Sequence, residues 1–517
     1  MIMAASWLKD AVFYEIYPQT FYDSNGDGIG DLQGMAQKLD YVKSIGCNAI
    51  WMNPCFDSPF KDAGYDVRDY KKVAPRYGTN EDLKRLFDLA HEKGLKILLD
   101  LVPGHTSEEN EWFKKSCEED PRYAERYIWT DGAFSGGDGM PFIGGEYPRN
   151  ATYIINFFKC QPALNYGYRD KHAPWQQSID APGPMANREA MKDIMRFWLD
   201  MGCDGFRVDM ADSLVKNDHG VKTATMEVWK DMAGAIHAEY PQAVLVSEWN
   251  HPDQALACGF DGDFYLNWDG NGYSLLFRDY RRDAKGNMTP DNSYFKAEST
   301  QDISGFLADY LPQYEKSKDL GLWCLITGNH DTPRLSPSLN DRERRLAFAF
   351  LLTMPGAPFI YYGDEIGMDY RWLPSKEGGY ARTGSRTPMQ WAQGKNLGFS
   401  TSDTPYLPTD DRVGAPTVES QNADPNSLLN HVRGLITLRK ENADLGNYSD
   451  FRVHTTGKRL FAYNRGKLLC ALNPGVEEEA CKLEGKYRVA YAFGDSRMEK
   501  DQLILGSQSF VVLAPAE

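Results

Sequence analysis

Eight short apolar runs, separated by stretches of helical periodicity, set the strongest limit on how this chain can fold. They are AVFYEIYP, CNAIWMNP, LKILLDLVP, GCDGFRVDM, AVLVSEWN, DGDFYLNW, LWCLITGNH and PFIYYGDE. Continuous apolar runs of this length read as strands buried on both faces. Strands alternating with amphipathic helices build a parallel sheet with helical crossovers. Eight of them predict an α/β fold, a closed (β/α)8 TIM barrel. The intervening helices have recognisable ends: in NEDLKRLFDLAHEKG, Asn80 reads as the N-cap and Gly94 as the stop.

A barrel of this kind allots roughly 30 residues to each βα unit, and the interval from Asp100 to Asp209, on successive strands, is several times longer. The excess predicts an inserted domain after the third strand, residues 108–168. Its Gly-rich centre, DGAFSGGDGMPFIGGEYPRN, suits a cover over the barrel mouth. The barrel then comprises residues 1–107 and 169–444. From 445 to 517 short alternating strands take over, as in RLFAYNRG, KLLCALNPG, KYRVAYAFG and QSFVVLAPAE, and predict a C-terminal all-β sandwich with a packing role.

In such a barrel the catalytic groups stand where strand meets loop. Four acidic residues occupy that place: Asp100 in KILLDLVPGH, Asp209 in DGFRVDMAD, Glu248 in LVSEWN and Asp331 in ITGNHD. Two carboxylates can divide the breaking of a glycosidic bond, one attacking the sugar and one donating a proton. Arg207, two residues before Asp209, shares its barrel face and is expected to hold it ionised as the nucleophile. Glu248 follows the apolar run AVLVS, where partial burial would keep the proton a general acid needs. His105, His330 and Asp331 suit the hydroxyls of a sugar, and Asp100 is expected to brace His105. Phe142, Tyr147, Trp175, Trp268 and Trp391 could stack on sugar faces.

Charge and cysteine usage narrow the partners. The net charge is −16, and no basic stretch could follow a nucleic-acid backbone or an anionic membrane, so a neutral or cationic small molecule is expected. Nine scattered cysteines without CxxC pairs, and an N-terminus with no basic start followed by an apolar stretch, predict a cytoplasmic protein.

DLVPGH, GFRVDMAD, SEWN and TGNHD resemble the four signature regions of the α-amylase superfamily of glycoside hydrolases, and the resemblance extends over nearly the whole chain. It implies double displacement with retention: Asp209 as nucleophile, Glu248 as acid/base and Asp331 as the residue that binds and distorts the sugar, assisted by Arg207, His105 and His330. GYDVRDY, with Tyr65 and Asp66, and GSRTPMQW, with Arg386, are similar to the oligo-1,6-glucosidases and other exo-acting α-glucosidases. There the matching Asp and Arg close the far side of a glucose pocket. The implied activity is release of glucose from the non-reducing end of short α-glucosides. The same residues also serve glucosyl transferases, isomerases of the trehalose-synthase or sucrose-isomerase kind, and endo-acting amylases. A non-catalytic sugar-binding relative would lack the carboxylates present here. Met210, after the nucleophile, follows neither the Val nor the Thr habit of the 1,6- and 1,4-specific relatives, so linkage stays open.

Two positions depart from the family. Gly104 stands where Asn is usual before the histidine of the first region, and Ala163 stands where QPDLN has Asp, so the calcium ion that many amylases hold between barrel and excursion is not expected. A different calcium site is. Asp23, Asn25, Asp27 and Asp31 place oxygens at alternating positions of one loop, with the Ile29 carbonyl between them and Gly28 at the turn. This Ca2+ would be structural, and the chemistry itself requires no cofactor.

Overall fold

The computed structural model describes residues 5–266, 271–279, 290–378 and 382–516. Eight parallel strands close a barrel: β1 (Phe13–Ile16), β2 (Ala49–Met52), β3 (Lys96–Leu101), β4 (Gly205–Val208), β5 (Val244–Ser247), β6 (Gly262–Tyr265), β7 (Leu322–Ile326) and β8 (Ala357–Tyr361). Each pairs with its neighbours in sequence, and Phe13 closes the ring by facing both Ala49 and Phe359. All eight expected runs are these strands. The register of β3 on β4 sets Asp100 opposite Arg207, so backbone pairing alone brings an acid beside a guanidinium. Gly205 opens β4 with φ +142°, and a Cβ there would lie 2.0 Å from the Val244 carbonyl oxygen. Only glycine permits so close a passage.

Helices surround the barrel and bury one face each. In the helix Asn80–Glu92 the cap is Thr79, not Asn80 as the sequence suggested. Thr79 and Asp82 form a reciprocal capping box. Asn80 instead turns back to the preceding strand, accepting from the Val73 N–H and donating to the Lys71 carbonyl.

After β3 the chain leaves the barrel and returns with the helix Pro182–Met201. The excursion carries the helix Glu111–Cys117 and a hairpin of Phe142–Gly144 with Thr152–Ile154. It has its own small aromatic core, in which Phe113 packs on Tyr127, Trp129, Tyr147 and Tyr153.

Beyond the helix Leu428–Glu441 lie eight antiparallel strands, β9 (Phe451–Thr456), β10 (Phe461–Arg465), β11 (Leu468–Asn473), β12 (Glu479–Lys482), β13 (Tyr487–Phe493), β14 (Ser496–Glu499), β15 (Gln502–Leu505) and β16 (Ser509–Pro515). They form a five-stranded sheet, β9-β10-β11-β16-β13, and a three-stranded one, β12-β15-β14.

Polar bonds hold the segment leading into these strands on the barrel. Buried Arg439 donates to the carbonyls of Leu352, Met354 and Gly356 and to Asn447 Oδ1. Asn447 in turn donates to the Leu8 and Ala11 carbonyls. Each buried acceptor stripped of its donor costs about 1–3 kcal/mol. Arg439→Leu, which strips three carbonyls, is therefore expected to lower unfolding free energy by about 3 kcal/mol or more in urea titration; a loss below about 1 kcal/mol would mean that water replaces the guanidinium.

Candidate active site

The carboxyl ends of β3, β4 and β5 deliver three acids to one buried cation. Arg207 donates from Nη1 to Asp100 Oδ1 at 2.8 Å and Asp209 Oδ1 at 2.9 Å, and from Nη2 to Glu248 Oε2 at 2.5 Å. Its guanidinium lies 4.9 Å from the centre of the Trp51 ring, and only 1% of the residue is exposed. Glu248 is further held by the Met210 N–H at 3.1 Å. To make that bond Met210 adopts φ +41°, a left-handed conformation costly for a side chain of its kind.

Sharing one cation three ways alters the protonation expected for Asp209. Burial pushes its carboxyl well above the usual carboxylate range; Arg207 opposes this, and Glu248, Asp100 and Asp331 add to it. Arg207 thus favours the ionised form, as the sequence suggested, but burial and the neighbouring acids outweigh it in setting the direction of the shift.

Asp100 does not brace His105 as expected. Its Oδ2 accepts from Trp51 Nε1 at 3.1 Å and from the Tyr65 hydroxyl at 3.0 Å. His105 contacts the Tyr65 backbone: its Nε2 lies 3.1 Å from the Tyr65 carbonyl oxygen, and its Nδ1 3.2 Å from Asn156 Nδ2. This fixes the neutral tautomer protonated at Nε2. Burial agrees, lowering the imidazole to about 4.

His330 is held in the opposite state. Burial alone would lower it, but Asp331 and Glu15 outweigh burial and raise it to about 9. Its Nδ1 faces Glu15 Oε1 at 2.9 Å; its Nε2 faces the Tyr65 hydroxyl at 2.6 Å and Asp331 Oδ2 at 3.1 Å. The imidazolium donates to Tyr65, which is then free to donate to Asp100.

Asp331 Oδ1 accepts from Arg386 Nη2 at 2.7 Å and from Arg382 Nη1 at 2.8 Å. Burial raises its carboxyl, but His330, Arg382 and Arg386 together hold it well below the usual range. Arg382 also bonds Asp62 through Nη2, while Gln161 Nε2 donates to the other Asp62 oxygen at 2.6 Å.

Asp62, not Asp66, therefore pairs with Arg382, which in turn holds Asp331. Asp66 is fully buried and its carboxylate is taken up by its own loop, accepting from Ser58 Oγ and from the N–H groups of Lys61 and Asp62. Sequence reading missed Asp62 and Arg382. A sign of each was present in the chain, an acid three residues before Tyr65 and an arginine four before Arg386.

Where excursion and barrel meet, Asn156 donates to the Gly104 carbonyl at 2.9 Å, and Lys216 Nζ donates to Asn156 Oδ1 at 3.1 Å and the Ser213 carbonyl at 2.9 Å. A Cβ at Gly104 would come within 3.0 Å of Asn156 Nδ2. Lys216 thus brings a cationic side chain to this junction. Burial lowers Lys216 to about 8.

In the loop after β1, Asp23 accepts from Asn25, Gly26 and Gly28 N–H and from Ser400 Oγ; Asn25 accepts from Asp27 N–H and Asp27 from Ile29 N–H. Asp31 caps the helix Leu32–Ile45 through Gly34 N–H and holds Ser24. The expected donors thus follow one another round a chain of Asx turns. Among the described residues no three acidic, histidine or cysteine groups converge as a metal cluster.

The aromatics expected to stack on sugar are mostly engaged by protein: Trp391 packs on Phe21 and Tyr22, Tyr147 on Phe113, and Trp175 on Tyr168. Phe142 is exposed, and Trp268 lies outside the described residues. Phe157 is half-exposed, with its ring 5.9 Å from that of His105.

The family described as alpha amylase, catalytic domain, matches residues 15–447. The chain belongs to the alpha-amylase family. Among family members it is 36% identical over 494 residues to a trehalose synthase/amylase, TreS, of Mycolicibacterium smegmatis, covering 84% of this chain and 76% of that one. It is 31% identical to a probable oligo-1,6-glucosidase 2 of Bacillus subtilis, covering 92% of each. A solved trehalulose synthase, MutB, in complex with Tris, superposes with TM-score 0.82 at 25% identity, covering 99% of this chain and all of that one.

The raised Asp209 carboxyl has a thermodynamic consequence. Such a group stabilises the fold below its unfolded pKa of about 3.9, and that contribution is lost as pH rises through the higher folded value. Asp209→Asn should abolish turnover yet melt at or above the wild type at pH 7, with a gap that widens as pH rises above about 4. A gap that narrows with rising pH would refute the raised value.

Proposed function

We propose that the protein is a retaining glycoside hydrolase that removes one glucosyl unit at a time from the non-reducing end of short α-glucosides. The observation that carries this reading is the wall made by Asp62, Arg382, Asp331 and Arg386 beside the acids on Arg207. Charged groups bonded across that side oppose the through-running chain an endo-acting enzyme must accommodate, and they present hydrogen-bonding edges to a terminal sugar.

Asp209 attacks C1 of that sugar; the C1–O bond breaks, and Glu248 gives its proton to the departing oxygen. A water then yields a proton to Glu248 as its oxygen bonds C1, releasing glucose and restoring Asp209. Common attachment of Asp209 and Glu248 to one guanidinium supports the closer carboxyl spacing of retaining enzymes, about 5–5.5 Å, over the roughly 6.5–9.5 Å that admits a water in inverting ones. The neutral His105 and the cationic His330, each bonded to protein through both ring nitrogens, hold the pocket's surrounding groups in place.

Maltose, isomaltose, sucrose, trehalose, maltotriose and starch, followed by anomer-resolved NMR, test the reading. Glucose first released as the α-anomer supports it; first release of β-glucose overturns retention, and rapid starch breakdown with little glucose overturns exo action. A second reading has a specific observation in its favour, the 36% identity to TreS: trehalose accumulating from maltose in the same assay would identify an isomerase. Asp62→Ala is expected to lower kcat/KM on disaccharides about 10- to 100-fold, the worth of a hydrogen bond to a charged group.

We also propose a structural Ca2+ in the loop of Asp23, Asn25, Asp27, Ile29 and Asp31. Oxygen donors at alternating positions support it, and a carboxylate oxygen that accepts an N–H keeps a lone pair for a hard cation. A rise in Tm of several degrees when millimolar Ca2+ is restored to EDTA-treated protein is expected; an unchanged Tm with no heat of Ca2+ binding would leave the loop closed by its Asx turns alone. A reducing cytoplasm suits the nine free, buried cysteines. Among the described residues no helix is long and apolar enough to cross a membrane.

A further inference from the structure

Glu15 lies on β1, across the His330 ring from Tyr65 and Asp331, and is fully buried inside the barrel. Its partners in register are Trp51 of β2 and Tyr361 of β8. Its Oε1 accepts from Asn53 Nδ2 at 3.2 Å and lies 2.9 Å from His330 Nδ1. Its Oε2 is buried with no partner among the described residues. A carboxylate so placed is expensive, and a glutamine would fill the same space with no charge to desolvate. The cost points to a task that needs a charged acceptor.

His330 meets a carboxylate at each ring nitrogen, Glu15 at Nδ1 and Asp331 Oδ2 at Nε2. Nδ1 also lies 3.0 Å from Asn53 Nδ2, so two states compete. Unprotonated, Nδ1 accepts from Asn53; protonated, it donates to Glu15, and the Asn53 amide donates to the same oxygen. An ionised Glu15 can only accept, and it selects the second state. With Nδ1 so committed, a proton leaving the ring must leave from Nε2. That nitrogen would then turn a lone pair toward Asp331, and the Tyr65 hydroxyl 2.6 Å away would give its hydrogen to the ring instead of to Asp100.

We propose that Glu15 is a positioning residue of the hydrolytic site: it imposes a proton on His330 Nδ1, which keeps the imidazole cationic and directs Nε2 to Tyr65 and Tyr65 to Asp100. The charged groups around the ring arrive on several elements. Asp331 is on the ring's own loop, and Arg382 and Arg386 hold it from the loop after β8. Asp100 on β3 is already paired with Arg207 of β4. Glu15 makes no ion pair among the described residues except with His330, so its charge acts on the ring undivided. Burial pushes the Glu15 carboxyl up, opposed by His330, Asn53 and Arg207, while His330 stands at about 9. The pair is thus charged above the raised value of Glu15 and below about 9. The inference rests on the proposed function only where turnover is measured.

Nitrogen-15 NMR of histidine-labelled protein reads the ring without substrate. His330, assigned by the loss of its signals in His330→Gln, should carry protons on both nitrogens at pH 7 in the wild type. Its titration midpoint should fall by about one to three pH units in Glu15→Gln. The ratio of wild-type to Glu15→Gln kcat/KM should rise at least about tenfold from pH 5 to pH 8, because the variant's imidazole loses its proton first. A ring neutral in the wild type at pH 7, or a midpoint unmoved by the substitution, would overturn the proposal. So would a loss of kcat/KM equal at the two pH values, the mark of a merely structural side chain. If Glu15→Gln fails to fold, the wild-type spectrum decides alone. If the protein proves to be an isomerase, the hydrolytic reading fails and the NMR titration still judges Glu15.

Discussion

The mouth of the barrel is organised by one buried guanidinium. Asp100, Asp209 and Glu248 come from three successive strands, and each would be expensive to bury alone. Arg207 makes their assembly possible because its planar fork can donate in several directions while staying charged. The register of β3 on β4 supplies the first pairing, Asp100 with Arg207, before any side chain needs to choose a rotamer. The others depend on that anchor: Trp51 and Tyr65 secure Asp100, Tyr65 leads to His330, and His330 leads to Asp331 and Glu15.

That arrangement is charged unequally. Around Arg207 the acids outnumber the base, and Asp209 is pushed up; around Asp331 the cations predominate, with His330, Arg382 and Arg386 holding it down. Two acids a short way apart thus differ in their hold on a proton, and the difference comes from neighbours and burial. The strained Met210, whose N–H fixes Glu248, belongs to the same pattern, in which local stability is given up for a prepared site.

How much of this could be read from the chain depended on regularity. Strands alternate with a period of two, so the common direction of Arg207 and Asp209 and the strand-end position of the four acids were legible, as was the barrel. The segment from Ser58 to Asp66 follows no such period: Phe60 and Ala63 take positive φ, and Gly64 stands at +104°. Over such backbone, adjacency in sequence says nothing about direction. That is why Asp66 turns into its own loop while Asp62 reaches the pocket. The aromatics failed for another reason. Composition marks a ring as apolar but not which surface it covers, and Trp391 and Tyr147 cover protein. Proton affinity was beyond reach altogether, since it depends on how many carboxylates share Arg207.

At the seam between excursion and barrel the fold places the ammonium of a lysine. Lys216 joins Asn156 to Ser213, and through Asn156 reaches Gly104, with a charge that is covalently its own. A seam held by a bound metal would answer to chelators and to the local supply of that metal. One held by an ammonium lowered to about 8 answers to mild alkali, which removes the charge.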